Sequence, residues 1–186
     1  MDDKRLIQIV DAALAEAGKR AGEWIRCKPG CCECCLGVFE ISALDARRLR
    51  EGLRDLETRD AERARRVHAR AAAAAVRLRT DFPVDPVSQA LNDGAYDDEP
   101  CPVLDPATGT CDLYGSRPLA CRIFGPAIRS GGAVGICELC YTGATDDEIA
   151  ACAVEIDAEG LEAPLLQQLR EEGVLVPTLV ALALDK

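Results

Sequence analysis

The chain has 186 residues and a formal net charge of −10, and 48% of it is hydrophobic. That length suits one domain with a small appendage, and the apolar share can build a core without cysteine crosslinks. The acidic balance argues against general nucleic-acid binding, which needs a basic footprint. Aromatic residues make up only 4%, which leaves Leu, Val, Ile and Ala to fill the interior. Segments rich in Ala and Leu favour helix over strand. The expected fold is mainly α: a single helical domain organised around a cysteine-rich centre with irregular loops.

In chain order, Leu6, Ile9, Val10, Ala13, Leu14 and Ala17 mark one face of a first helix ending near Gly18 or Gly22. Trp24 follows, an apolar side chain placed to pack beside the next segment. From Cys27 to Cys35, five of the eleven cysteines fall within nine residues. The gaps Cys27/Cys31, Cys31/Cys34 and Cys32/Cys35 are those at which a turn can aim two sulfurs at one metal ion. Pro29 and Gly30 supply the turn, one by fixing φ and the other by tolerating φ > 0. After an apolar bridge over 36–41, Ser42 with Asp45 reads as a helix N-cap. A long helical stripe then runs through Leu49, Leu53, Leu56, Ala64, Val67, Ala71 and Leu78, with an interruption at 58–60. Residues 43–79 hold eleven Arg against six acidic residues. Such a run reads as a solvated face, with the option of holding a phosphate or an acidic partner. The single histidine, His68, lies there and cannot make a His-rich ligand set. Residues 81–100 read as irregular, with a short helix at 86–91 and an acidic surface cluster at 97–99.

A second cysteine-rich region begins at Cys101. The turn residues from Asp105 to Gly109 bring Cys101 and Cys111 near each other at the base of a turn. Ser116 is placed to cap a helix entered at Pro118, with Cys121 near its N-terminal end, where the dipole favours a thiolate. Cys137 and Cys140 add another two-residue gap. Thr145 with Glu148 forms a capping box before a helix over 149–156, and Cys152 in that apolar run reads as a buried thiol. Pro164 opens a helix that Gly173 closes, and Pro177 opens the last one. The longest apolar stretch, 174–184, is interrupted by Pro177 and too short to span a bilayer. Asp11 cuts the first apolar run too early for a signal peptide. These features predict a reducing, cytoplasmic setting, where clustered thiols hold metal rather than form disulfides. The expected division is a cysteine-cluster domain over 1–142 and a helical C-terminal extension over 143–186.

Soft sulfur ligands suit zinc or iron–sulfur chemistry and disfavour magnesium, calcium and manganese. Arg117, Arg122 and Lys28 stand near cysteines as candidate counter-charges. The cysteines outnumber the needs of one mononuclear site, so two metals, or a cluster plus a zinc, would absorb them. No glycine-rich nucleotide loop, nucleophile elbow or His-based metalloprotease motif is present, which leaves the question of an enzyme open.

The knot of five cysteines from Cys27 to Cys35, followed by Cys101-Pro102-Val103-Leu104-Asp105, Cys111 with Tyr114, and Arg117-Pro118 with Cys121-Arg122, resembles the YkgJ-type CxxCxxCC family. These are bacterial cysteine-cluster proteins described as zinc- or iron-chelating. The resemblance covers residues 27 to about 140. It implies metal ligation by Cys27, Cys31, Cys34, Cys35, Cys101, Cys111, Cys121 and Cys137, with Cys32 and Cys140 as further candidates. The implied cofactor is zinc or iron, alone or as an iron–sulfur cluster. A flagellin lysine methylase shares related motifs, which implies an alternative: an iron–sulfur enzyme acting on a protein or small molecule. A third reading is a metal-organised interaction module that offers its Arg-rich helix to a protein partner. The expected architecture makes the knot one half of a centre completed from Cys101 to Cys137.

Overall fold

The computed structural model describes residues 3–130, 132–173 and 177–185. Of the described residues 56% are helical, and they form eight α-helices and six strands of two or three residues. The mainly α expectation holds. Two compact units divide the chain, and each is assembled from two segments. One takes residues 1–28 and 119–168, the other 29–118 and 169–186.

In the second unit the long helical pattern resolves into two helices. Ser42 Oγ accepts the Asp45 N–H (3.2 Å), and the Asp45 carboxylate accepts the Ser42 N–H in return (3.4 Å), opening α2 (Ala43–Arg59). At Asp60 the backbone leaves the helical region (φ −154°), and its carboxylate accepts the Arg63 N–H at 3.0 Å to start α3 (Ala61–Asp81). One residue therefore ends a helix and caps the next. Leu49, Leu53 and Leu56 of α2 share a core with Ala64, Val67 and Ala71 of α3. Val180, Ala183 and Leu184 of α8 (Val180–Leu184) complete it. The short helix α4 (Pro86–Leu91) forms as expected, capped by Asp85 and with Pro86 in its first turn. Two ladders brace this unit: β1 (Glu40–Ile41) pairs antiparallel with β6 (Thr178–Leu179), and β2 (Leu104–Asp105) with β3 (Thr110–Cys111).

In the first unit, Leu6 and Val10 of α1 (Lys4–Ala21) and Leu119 of α5 (Leu119–Arg122) form one apolar cluster. A second gathers Ala21, Ala127, Cys140, Tyr141, Cys152 and Ala153. A hairpin of β4 (Ile128–Ser130) and β5 (Ala133–Gly135) stands beside α6 (Asp146–Cys152) in sequence, and α7 (Glu162–Glu171) begins in this unit.

Three local expectations shift. The Thr145–Glu148 capping box does open α6, but the helix stops at Cys152. Val154 instead joins the neighbouring strand through Arg129 N–H to Val154 O (2.9 Å) and Val154 N–H to Ala127 O (3.1 Å). Helix α5 is only four residues long. Ser116 lies in a separate 3-10 turn, and the chain turns away at Gly125-Pro126, so Cys121 has no extended helix dipole behind it. Pro177 opens no helix, because Thr178 and Leu179 are drawn into the ladder with β1. Residues 174–176 of the apolar stretch, and Met1 and Asp2, lie outside the described residues. Among the described residues no helix is long and apolar enough to cross a membrane.

In the second unit Tyr96 is buried in a cluster with Leu78, Ala90 and Leu179. Its ring packs on Phe82 at 5.5 Å between centroids, and its hydroxyl donates to Asp81 Oδ2 at 2.7 Å. Burial first, then the Asp81 carboxylate, raise its pKa from 10.0 to about 12. A folded pKa above the unfolded one stabilises the protonated form. That stability is whole below pH 10 and is lost as pH climbs through about 12. We therefore predict that the stability difference between the wild type and Tyr96→Phe, read from urea unfolding, shrinks across that window; a constant difference would contradict it.

Candidate metal centre

In the second unit, Gly30 turns the chain with φ +90°, and a 3-10 turn over Glu33–Cys35 follows, closed by Cys35 N–H to Cys32 O at 2.7 Å. Leu36 then bridges Pro100, and the Cys101 N–H donates to Cys35 O at 2.7 Å. That bond lays Cys101 beside the knot. From Cys101 the chain enters the β2–β3 hairpin, where Leu104 stands opposite Cys111 and Asp112 N–H donates to Val103 O at 2.8 Å. Cys111 thus stands opposite Leu104 at the base of the turn over residues 105–109, and Cys101, three residues before the ladder, feels its charge.

The four thiols Cys34, Cys35, Cys101 and Cys111 feel one another's charge. The interaction with the adjacent Cys35 thiol is the main reason the Cys34 pKa falls to about 6, with Arg117 also favouring its thiolate. The Cys35 thiol is held far above the ordinary range by the same interaction, then by burial and the neighbouring sulfurs. Burial pushes Cys101 up to about 12 and also raises Cys111. Arg117 is fixed by donating Nε–H to Tyr114 O (3.0 Å) and by lying 3.6 Å over the Tyr114 ring. Of the three candidate counter-charges Arg117, Arg122 and Lys28, Arg117 acts on Cys34 and Cys111. Cys31 and Cys32 are half-buried in the loop ahead of Cys34.

Sequence reading missed Asp112. Its carboxylate, with the side chain 1% exposed, accepts from Arg63 Nε and from Arg70 Nη2 (2.5 Å). Arg70 Nε also donates to Pro102 O at 2.8 Å, so α3 grips the hairpin beside both Cys101 and Cys111. The available signal was a carboxylate next to a cysteine, matched by two arginines two turns apart on one helix face. Other arginines of residues 43–79 are also engaged within the chain: Arg48 with Asp45, Arg66 with Glu62, Arg77 with Glu99 and Arg79 with Asp185. His68 Nε2 stands 2.6 Å from Glu57 Oε1, and Glu99 of the acidic cluster is the partner of Arg77.

The first unit holds Cys27, Cys121, Cys137, Cys140 and Cys152. Cys137 and Cys140 lie on one turn, closed by Cys140 N–H to Cys137 O at 2.9 Å, and Cys140 Sγ accepts the Arg26 N–H at 3.5 Å. Tyr141, in the left-handed region at φ 59°, donates its N–H to Trp24 O (3.0 Å) and packs its ring 6.0 Å from the Trp24 ring. Trp24 is therefore a packing residue beside a cysteine turn. Cys27 is exposed, and its sulfur rests against Gly125. Cys121 sits in α5, four residues ahead of that glycine. The neighbouring Arg122 is buried and pairs with Asp11 at 2.7 Å. Cys152 is buried in the apolar cluster.

All eleven cysteines carry thiols rather than disulfides. Among the described residues, no three His, Cys, Asp or Glu side chains already stand in metal-ligand geometry. Closing a set of thiols on an ion therefore takes side-chain rotation, which for cysteine means a single χ1 torsion.

A helical scaffold bearing reduced, clustered cysteines from several loops defines a cysteine-cluster protein. A family model, CxxCxxCC, described as "Putative zinc- or iron-chelating domain", matches residues 26–149. The chain belongs to this family, as the resemblance carried by the knot and the Cys101–Cys121 motifs implied. No curated protein and no solved structure matched the chain.

Asp112 supplies a direct check on this architecture. Removing it leaves two guanidinium groups facing each other with no carboxylate, at side-chain exposures of 35% and 26%. We predict that Asp112→Ala lowers the unfolding free energy by on the order of 3 kcal/mol, the lower end for a broken buried pair because both arginines reach water. Urea denaturation would measure it, and a loss below about 0.5 kcal/mol, as at an ordinary surface site, would contradict the role given to Asp112.

Proposed function

We propose that the chain chelates zinc or iron through Cys34, Cys35, Cys101 and Cys111, with Cys31 and Cys32 as adjacent thiols in the same loop. The observation carrying this reading is the Cys101 N–H to Cys35 O bond, which lays the Cys34–Cys35 segment beside the hairpin of Cys111, so that the four thiols feel one another's charge. The donor set fits: sulfur is soft, and all-thiolate sites select zinc or iron–sulfur chemistry over hard cations. Four thiolates leave a bound divalent ion with net negative charge, and Arg117 is the cation positioned to offset it. A bound ion would supply a crosslink between the knot and the hairpin, and folding and metal uptake would be coupled. The chain's own contribution is to hold the hairpin against α3 through Asp112. Eleven reduced thiols are best kept in a reducing compartment, so the inferred setting is the cytoplasm.

Anaerobic purification, elemental analysis and a visible spectrum test this reading. Zinc in colourless protein, or iron with broad absorbance near ~400 nm and acid-labile sulfide, is the expected outcome. The Cys34→Ser/Cys101→Ser variant is expected to lose that metal. Full retention in the double variant would contradict the ligand assignment.

A further inference from the structure

The segment that follows Cys111 is held between α2 and α3, and its contact with α2 has no part in the reading above. We propose that Gly52, inside α2, is a positioning residue of the metal centre. It seats the 3-10 turn over Tyr114–Ser116 and so holds Arg117 where its charge offsets that of the thiolates and their ion. The inference rests on the chelation proposed above and adds to it a residue that carries no donor atom.

Glycine is, proline apart, the poorest helix former, yet Gly52 stands buried in the interior of a 17-residue helix. Its φ is not in the left-handed region, so conformation alone does not call for glycine there. Space does. A Cβ at this position would fall on Ser116 Cβ and Oγ, far inside van der Waals contact. The turn therefore lies against the backbone of α2, closer than any side chain at position 52 would allow.

The same segment is fixed at its other end. Asp112 is held by Arg63 and Arg70 of α3. Leu113 sits in the core with Leu49, Leu53 and Leu56, and its carbonyl accepts the Ser116 N–H at 2.8 Å. Residues 112–116 thus have one anchor on each helix, and Arg117 leaves directly from the second. Arg117 takes its orientation from this turn, because Nε–H donates to Tyr114 O at 3.0 Å and the guanidinium lies 3.6 Å from the Tyr114 ring centroid. The Tyr114 ring is 62% exposed, so its placement depends on the backbone of the turn more than on core packing. From there the charge of Arg117 reaches Cys34 and Cys111. A turn pushed off α2 would carry that cation with it and weaken its hold on the thiolates.

Zinc affinity tests this, measured on reduced protein by competition with a chromophoric chelator, with far-UV circular dichroism to show that each variant is folded. Gly52→Ala is expected to weaken zinc binding roughly tenfold, as for loss of a group that supports a ligand set from outside it. Ser116→Gly leaves a gap at the same seam and is expected to weaken binding in the same direction. Gly52→Ala/Ser116→Gly moves a methyl-sized volume from one side of the seam to the other, and is expected to bind within about twofold of the wild type, as contacting residues couple. Arg117→Gln is expected to weaken zinc as well, and adding Gly52→Ala to it to cost nothing more, because both changes remove one effect. A folded Gly52→Ala protein with wild-type affinity would overturn the inference. So would losses from Gly52→Ala and Arg117→Gln that simply multiply, since Gly52 would then act on the fold and not through Arg117. Should Gly52→Ala fail to fold, Ser116→Gly combined with Arg117→Gln makes the same comparison, and multiplying losses there overturn it equally. Zinc bound by the wild type and unaffected by Arg117→Gln would overturn this inference alone, whereas no zinc bound by the wild type would overturn the chelation reading itself.

Discussion

A buried carboxylate sets the geometry of the thiol-bearing unit. Asp112 is almost wholly withdrawn from water, and an isolated charge there would cost several kcal/mol. It is tolerated because Arg63 and Arg70 both reach it from α3. Since Asp112 directly follows Cys111, the hairpin has to sit where those two guanidinium groups can meet it. Cys101 follows through the same hairpin, and Cys35 follows through the backbone bond to Cys101. The positions of three thiols therefore trace back to one ion-pair triad on a helix face.

This changes how the arginine-rich stretch is understood. Its surplus charge reads from sequence as a solvated face or a docking surface. In the fold, at least six of its arginines are paired with carboxylates of the same chain, two of them around Asp112. Most of those pairs are exposed and individually worth little. Two differ: Arg48 and Asp45 are both buried within α2, and the Asp112 triad has a buried carboxylate that links the basic helix α3 to the hairpin carrying Cys111. The charge asymmetry of the sequence is thus used first for scaffold construction.

The features that were legible in the sequence are the ones determined within a few residues. Ser42 with Asp45 and Thr145 with Glu148 form capping boxes because the reciprocal bonds span only three positions. Pro86 opens its short helix, and the break near residue 60 falls where a capping aspartate interrupts the stripe. The Asp105–Gly109 turn announced the hairpin that carries Cys111. What the sequence hid was non-local. Pairing of residues 40–41 with 178–179 joins two ends of the chain and overrides the helix expected from Pro177. Val154 leaves its helix because a strand distant in sequence offers it backbone partners. Asp112 looked like an ordinary loop carboxylate until α3 was placed beside it. The cysteines themselves were conspicuous, but their distribution between two units depends on how the chain doubles back after residue 118.

X-ray absorption at the metal edge of protein purified without added metal tests the chelation account most directly, because it reports the ligand atoms themselves. The account predicts a first shell made of sulfur, at about 2.3 Å if the metal is zinc. A first shell dominated by nitrogen or oxygen would contradict it, since it would mean that the clustered cysteines are not what holds the ion.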